Sequence, residues 1–476
     1  MEQLYTITPR VVAADTVTDI AVSGKYPHTD LRTVKGEITV DGVCADGLFS
    51  DGILPGYTCF NGFKIEDRPM FEPIPATLGS DGVLHFKHLF RSTGEHTLHL
   101  RCGDNTLLTF SIFSVPQAWL KLRPYRCDLH LHSGYSGCCR ERAKLSPEYF
   151  AALLCGSGLD FISISDHKQH TPSLIAANFV DQCGGSFRAY PSEEVHLQDL
   201  HTIHVLNFGG DRPVSDQLHP DDPEYVKLLN RYLAKVPQYA DYWLRHLAAN
   251  WHIAYDKIRE AGGLMIYCHP FWRPFDRRFL PECIRDYIFE HRLYDALEVF
   301  GEIGSEEHRE DNELNVARYH EQCIAEKRSI PAVGNSDIHQ GSMLNINSSI
   351  VWAERNELKQ LQNAILDGMS IAVKQFPGEF PRTAGGNLTL VNYYHFLRKF
   401  YYPRHDEICQ AESREMLKAL SGAAVDYEFV DFINRPGHIT GDTPMALDSR
   451  KYTPDTAAMA RINADRAALD AEFWNN

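Results

Sequence analysis

The sequence predicts an α/β protein: a (β/α) barrel, preceded by a β-sandwich-like domain and followed by a helical extension. Three observations lead there. From 123 to 373, short apolar runs of strand length alternate with helical periods, the pattern of parallel strands with covering helices. Residues 1–122 instead carry short alternating runs separated by Gly, Asp and Pro turns. Residues 374–476 return to helical periodicity, near 391–421 and 454–474.

In the first segment, Gly36–Val40 and His96–Leu100 alternate as strands do. Leu84–Phe90 and His96–Cys102, joined through Ser92-Thr93-Gly94-Glu95, predict a hairpin. Pro116 and Pro124 bracket the exit from this domain. The central segment offers strands at Arg126–Leu131, Leu159–Ser165, Arg188–Val195, Ile203–Phe208, Gly263–Cys268, Ala296–Phe300, Ile330–Gly334 and Ser349–Ala353. Helical periods fall between them, as at Pro147–Cys155, Asn312–Lys327 and Asn356–Asp367. No GxGxxG opens a helix after the first strand, which removes the usual dinucleotide reading and favours a barrel over a doubly wound sheet. An insertion from about 210 to 261 carries Tyr225, Leu228, Leu229 and Tyr232, then Trp243, Leu247, Trp251, Ala254 and Ile258, at helical spacing. Two packed helices explain it, and a lid or pocket wall beside the active site is the functional alternative. The C-terminal extension is expected to pack on the barrel or on a second copy of the chain in a homo-oligomer.

Composition narrows the class. With 43% hydrophobic and 23% charged residues among 476, the chain has the make-up of a globular protein with ample core. No apolar run is long enough for a membrane helix, and the first residues lack the basic and apolar regions of a signal peptide, so a cytoplasmic location is expected. Twelve irregularly spaced cysteines without a CxxC pair read as reduced thiols. A net charge of −16 argues against a nucleic-acid polymer as partner, while leaving room for a small phosphorylated substrate at a locally positive metal site.

Chemistry concentrates where strands end. Asp128-Leu129-His130-Leu131-His132 closes the first barrel strand, and alternation puts His130 and His132 on one side. Asp166-His167 follows the second strand, Glu194 lies in the third and His204 opens or lies within the fourth. His269 ends the fifth, and Asp337-Ile338-His339 follows the strand ending at Gly334. Barrel active sites are built at the C-terminal ends of strands. One HxH among 23 histidines is weak, and a lone buried histidine is usually a satisfied core residue. Histidines and acids recurring strand after strand instead point to divalent-metal binding, since without a cation they would be costly to desolvate together.

Asp128-Leu129-His130-Leu131-His132-Ser133, Ser165-Asp166-His167, Glu194, His269-Pro270 and Ser336-Asp337-Ile338-His339 together resemble the successive motifs of the PHP (polymerase and histidinol phosphatase) superfamily, over residues from about 125 to 373. The resemblance implies a distorted (β/α)7 barrel with two or three divalent ions, Zn, Mn or Fe, acting as a phosphoesterase on a small phosphate monoester or diester. By position, His130, His132, Glu194 and Asp337 would hold one ion. Glu194 would bridge to a second held with His204 and His269, and His167 and His339 would serve a third. Glu194, Asp337 and His339 would be the catalytic residues. Glu193 competes with Glu194 in Pro191-Ser192-Glu193-Glu194, and Glu194 is preferred because the family's glutamate stands three positions after the Pro. Members commonly carry an acid or His shortly after the HxH. Here Ser136-Gly137-Cys138 stands there, with Cys138, Cys139 or His170 as replacements among which spacing does not choose.

Asp128 and Asp166 read either as groups orienting a ligand or as structural acids. Arg140, Arg142, Lys144, Lys168 and Arg273 lie close to the motifs, and Arg273, Lys168 and Arg140 are the expected phosphate-binding residues. The bland reading of each is a solvated surface charge. Gly156-Ser157-Gly158 is not a GxSxG elbow, so serine nucleophilic catalysis has no support. The competing expectations are an amide, carbamate or ester hydrolase on the same barrel, and a non-catalytic binding module with a degenerate metal site.

Overall fold

The structure, a computed structural model, describes residues 2–43, 71–136, 145–197, 203–239, 241–272, 280–301, 306–339, 344, 346–421 and 451–474. The chain divides into two compact units, Met1–Lys121 with Val391–Arg404 and Ala464–Asn476, and Leu122–Leu390 with His405–Asn463. Residues of the C-terminal segment thus contribute to both.

In the first unit the strands are β1 (Tyr5–Thr8), β2 (Val11–Ala13), β3 (Thr16–Gly24), β4 (Ile38–Val43), β5 (Phe71–Ile74), β6 (Ala76–Leu78), β7 (Leu84–Phe90), β8 (Gly94–Cys102) and β9 (Asn105–Val115). They form a four-stranded sheet, β1-β3-β7-β6, and a five-stranded sheet, β2-β9-β8-β4-β5. Ile20, Val22, Phe86 and Phe90 from one sheet share a buried core with Val40, Leu98, Leu100 and Phe110 from the other. Their alternation with polar neighbours is what a half-buried strand requires.

The hairpin expected between 84–90 and 96–102 does not form. β7 pairs with β3 and β6, whereas β8 pairs with β4 and β9. Ser92 (φ 56°) and Gly94 (φ 145°) turn the chain from one sheet to the other. Alternation reports only which side of a strand is apolar, and two strands facing one core from opposite sheets satisfy it as well as two paired strands do. The tight hairpin is β8–β9, where Cys102 pairs with Asn105 and Gly103 takes a φ of 58° that a glycine adopts without strain.

The second unit contains β10 (Arg123–Leu131), β11 (Phe161–Ile164), β12 (Arg188–Ala189), β13 (Glu194–His196), β14 (His204–Phe208), β15 (Leu264–Tyr267), β16 (Ala296–Phe300), β17 (Ala332–Gly334), β18 (Asn347–Ala353), β19 (Ser370–Lys374) and β20 (Arg382–Ala384). They lie in a six-stranded sheet, β12-β11-β10-β18-β19-β20, and a five-stranded sheet, β13-β14-β15-β16-β17. Isolated parallel bridges at Leu131–Ile338 and His167–Glu194 join the sheets beside the histidine motifs. The result is a mixed α/β layer structure rather than uniform parallel repeats: β10–β11–β12 and β15–β16–β17 are parallel, but β14 runs antiparallel to both β13 and β15. His204 therefore reaches the rim from the start of its strand, because the start of an antiparallel strand lies where its parallel neighbours end.

The covering helices are α1 (Pro147–Gly156), α2 (Thr171–Cys183), α3 (Pro223–Leu233), α4 (Tyr242–Glu260), α5 (Glu282–His291), α6 (Glu306–Glu326) and α7 (Leu358–Leu366). Ser146, Asp222 and Asp241 cap α1, α3 and α4 by accepting backbone N–H groups. The insertion forms α3 and α4, and α4 packs on β15 and α5. Trp251 Nε1 donates to the Leu293 carbonyl at 2.7 Å, and its ring meets Tyr267 edge-on at 4.8 Å. These contacts make the insertion a covering layer on the apolar side of the sheet. We expect Trp251→Ala to lower unfolding free energy by about 3–5 kcal/mol in urea titration, since it empties a fully buried site. A loss under about 1 kcal/mol would contradict this packing role.

The C-terminal segment supplies α8 (Leu388–Phe400), α9 (Tyr402–Ser421) and α10 (Thr456–Trp474). In the second unit, His405 of α9 is buried between Asp160 Oδ1 (2.8 Å) and Asp406 Oδ1 (3.1 Å), and Asp160 Oδ2 accepts the Arg126 N–H at 2.8 Å. Both imidazole nitrogens thereby have carboxylate partners, which ties α9 to β10. Among the described residues no helix is long and apolar enough to cross a membrane.

Candidate metal centre

β10 ends by delivering His130 and His132 to one cavity, both shielded from solvent. Glu194, first residue of β13, lies opposite. Its carboxylate contacts the imidazoles of His130 (3.2 Å), His132 (3.6 Å), His167, His204 (2.8 Å) and His269 (3.3 Å). Asp337 closes the other side, with Oδ1 3.2 Å from His130 Nε2 and 3.0 Å from His132 Nε2, and Oδ2 4.0 Å from His269. The His339 ring stacks on His132 with centroids 4.3 Å apart. The eight residues named from sequence as metal ligands thus share one centre.

Backbone geometry at the rim is unusual. His269 (φ 28°), Asp337 (φ 48°) and Lys168 (φ 54°) all occupy left-handed conformations without being glycine. Each costs on the order of 1 kcal/mol and is held by surrounding structure. Asp128 helps to hold Asp337: it accepts the Ser336 N–H at 3.1 and 3.2 Å, the Ser336 hydroxyl, and the His130 N–H at 3.1 Å. Asp128 is thereby a loop anchor that leaves the imidazoles to other partners.

Those partners fix the ring tautomers. Glu298 Oε2 stands 3.1 Å from His130 Nδ1 and accepts from Asn335 Nδ2 at 2.8 Å. The Ser136 hydroxyl donates to Asp166 and stands 3.0 Å from His132 Nδ1. In both cases Nδ1–H is the donor, so Nε2 presents its lone pair to Glu194 and Asp337, the carboxylate–histidine arrangement typical of metal ligands.

Electrostatics agree. Burial works to raise the Glu194 carboxyl, but His204, His167 and His130 outweigh it and hold it well below the usual carboxylate range. Burial likewise opposes ionised Asp337, yet His130 and His339 keep it well below its ordinary value. His132 is pushed down to about 4 by burial, then by His339 and His167, while His204 is lowered by burial. His130 and His269 go the other way, burial being outweighed by Asp337, Glu298 and Glu194 for the first and by Glu194 and Asp337 for the second. Two ionised acids and the imidazoles converging on them form a ligand set. A divalent ion also substitutes for the protons that His130 and His269 otherwise attract. The fit is visible in individual atoms: buried His130 Nε2 faces Glu194 Oε1 and Asp337 Oδ1, each at 3.2 Å.

Around this centre, among the described residues, four groups of donors have all their ligand atoms within 4.8 Å: His130–His132–Asp337, His130–Glu194–Cys268–His269, His167–Glu194–His196–His204 and His132–His167–His339. His196, Cys268 and Glu298 were missed in the sequence. His196 stands two after Glu194 in a strand, the same spacing that singled out His130 and His132. Glu298 lies inside a strand with no neighbouring motif. Glu193 faces away, accepting from the backbone of Val214 and from Asn207 Nδ2 at 3.2 Å. His170 is also turned away, 2.9 Å from the Gly210 carbonyl. Among the expected phosphate binders, Lys168 lies on the rim, its N–H donating to the Glu194 carbonyl at 2.9 Å. Arg140 and Arg273, with Arg142, Lys144, Cys138 and Cys139, lie outside the described residues.

No family model and no curated protein matches the sequence. Among solved structures, the chain is similar to a two-domain protein from Bacteroides vulgatus containing a predicted PHP-like metal-dependent phosphoesterase, at 16% identity and TM-score 0.33, over 53% of this chain and 65% of that one. It is also similar to a proposed metal-dependent phosphoesterase from Bifidobacterium adolescentis, at 18% identity and TM-score 0.31, over 46% of this chain and 90% of that one. A third is an amidohydrolase from Chromobacterium violaceum with sulfate and no metal, at 14% identity and TM-score 0.28, over 45% and 88%. This chain spans 65% of the length of the first of these. The chemistry of the centre rests on this chain's own side chains.

Proposed function

We propose that the chain is a metal-dependent phosphoesterase acting on a small phosphate monoester or diester, with its two sheets read as a distorted (β/α)7 barrel. One observation carries the reading: a single buried carboxylate, Glu194, contacts five imidazoles from four separate stretches of chain, with Asp337 opposite. His130, His132, His204, His269, Glu194 and Asp337 would hold divalent ions there, which would supply Lewis acidity to the phosphoryl group and lower the pKa of water. Glu194 and Asp337 would share the ions with the imidazoles and offset part of the positive charge. Against two dications they leave a formal charge of about +2, which favours an anionic ester over a neutral amide. Glu298 and the Asp166–Ser136 pair keep His130 and His132 in the ligating tautomer. Lys168 on the rim, with Arg140 and Arg273 near the same motifs in sequence, supplies positive charge for the phosphate.

The test is a panel of phosphate mono- and diesters, with amide and carboxylic ester substrates alongside, offered to the Mn- and Zn-reconstituted protein. Hydrolysis of at least one phosphate ester, at a rate at least ~100-fold above that of the same assay in chelator, is expected. Turnover confined to amides or carboxylic esters would overturn the substrate class while sparing the metal centre.

A further inference from the structure

β13 brings one more imidazole into the cavity than the sequence motifs account for. We propose that His167, Glu194, His196 and His204 together hold a divalent cation, with His196 as a direct ligand. This rests on the reading that the centre binds divalent ions, and it adds a donor to that centre.

Strand geometry puts His196 there. Alternation along β13 sends Glu194 and His196 to the same face. His196 pairs across the ladder with His204, so the two rings stack at 4.1 Å with planes 17° apart. His196 Nε2 lies 2.9 Å from His167 Nδ1, His204 Nδ1 lies 2.8 Å from Glu194 Oε1, and His167 Nδ1 meets Glu194 Oε2. Nitrogens that each sit about 2.0–2.1 Å from a common zinc are themselves roughly 3 Å apart, so this spacing is that of adjacent ligands. His196 Nε2 faces the other imidazoles and Glu194 rather than a backbone carbonyl, while Nδ1 is buried without a hydrogen-bond partner. The set also turns His204 toward His167, and leaves His269 grouped with His130 and Cys268 around the other side of Glu194. Glu194 thereby becomes the bridge between two cation positions. Three imidazoles and one carboxylate suit Zn, Fe(II) or Mn better than Mg.

The rival role for His196 is a hydrogen-bond partner that merely orients His167. Metal content separates the two. Full-length wild type, His196→Phe and His196→Gln are loaded with Zn, dialysed, and counted by inductively coupled plasma mass spectrometry. Their Co(II) forms are compared by visible absorption. Phe preserves the stack on His204 without a nitrogen, and Gln preserves a hydrogen bond to His167. Both variants are expected to hold one ion fewer per chain than wild type, or to bind that ion on the order of 100-fold more weakly, with altered Co(II) bands. Wild-type metal content and affinity in both variants would overturn the proposal. A normal count in Gln with a deficit in Phe would overturn it too, in favour of the orienting role. Should wild type bind no ion at all, the phosphoesterase reading falls with it. Should wild type bind ions that neither variant loses, that reading stands and only His196 is removed.

Discussion

Glu194→Gln is expected to cost at least one bound divalent ion per chain and to lower kcat/KM on the order of a thousandfold, or about 4 kcal/mol of transition-state stabilisation. The amide has the shape of the carboxylate but neither its charge nor its second acceptor oxygen. Both oxygens are in use here: Oε1 faces His130, His204 and His269, and Oε2 faces His132 and His167. An amide nitrogen in place of either one would direct N–H groups at ring nitrogens or at the cation itself. The neighbouring Glu193 provides the control. Its carboxylate serves the backbone of Val214 and Ser215 and the Asn207 amide, so Glu193→Gln should cost about 1–3 kcal/mol of stability and leave metal content untouched. Mass-spectrometric metal counts, steady-state kinetics and urea titration on the two variants give the comparison. Normal metal content in Glu194→Gln would remove the residue from the centre and with it the proposed chemistry.

Much of this arrangement was legible because short-range rules placed it. Period-two alternation put His130 and His132 on one face, and the strand runs at 126–131, 203–208, 263–268 and 296–300 each contain or overlap an observed strand. What alternation does not encode is pairing. It could not tell that β7 and β8 sit in different sheets, nor that β14 runs antiparallel and so presents His204 from its first residue. The third predicted strand, 188–195, proved to be two, β12 and β13, with Glu194 opening the second. That break hid His196, which only joins the pattern once Glu194 is seen to begin a strand. Glu298 was illegible for another reason. An acid inside an apolar strand run looks like any core irregularity until the ring it orients, His130, arrives from 168 residues away. Likewise the serines that anchor the ligands, Ser136 and Ser336, carry their roles entirely in tertiary contacts with Asp166 and Asp128.

Removing the ions should inactivate the protein and soften it at once. Ions that bind the folded chain but not the unfolded one stabilise by RT ln(1 + [L]/Kd), about 4 kcal/mol at a thousandfold excess over Kd. For a unit of roughly 300 residues, about 1.5 °C of melting temperature accompanies each kcal/mol, so EDTA is expected to lower Tm by about 6 °C. The direction follows from the cavity itself, where ionised Glu194 and Asp337 lose the cation that satisfies them and stay buried. Which metal restores activity then reads out the ligand chemistry. Magnesium prefers an octahedron of oxygens and parts reluctantly with its water, whereas this centre offers imidazole nitrogen at most positions. Zn, Mn or Fe(II) should therefore recover both Tm and turnover in the chelated protein, and Mg at the same free concentration should recover neither. Full activity in excess EDTA, or recovery with Mg equal to that with Zn and Mn, would mean that the imidazoles around Glu194 are not the groups that hold the catalytic ions.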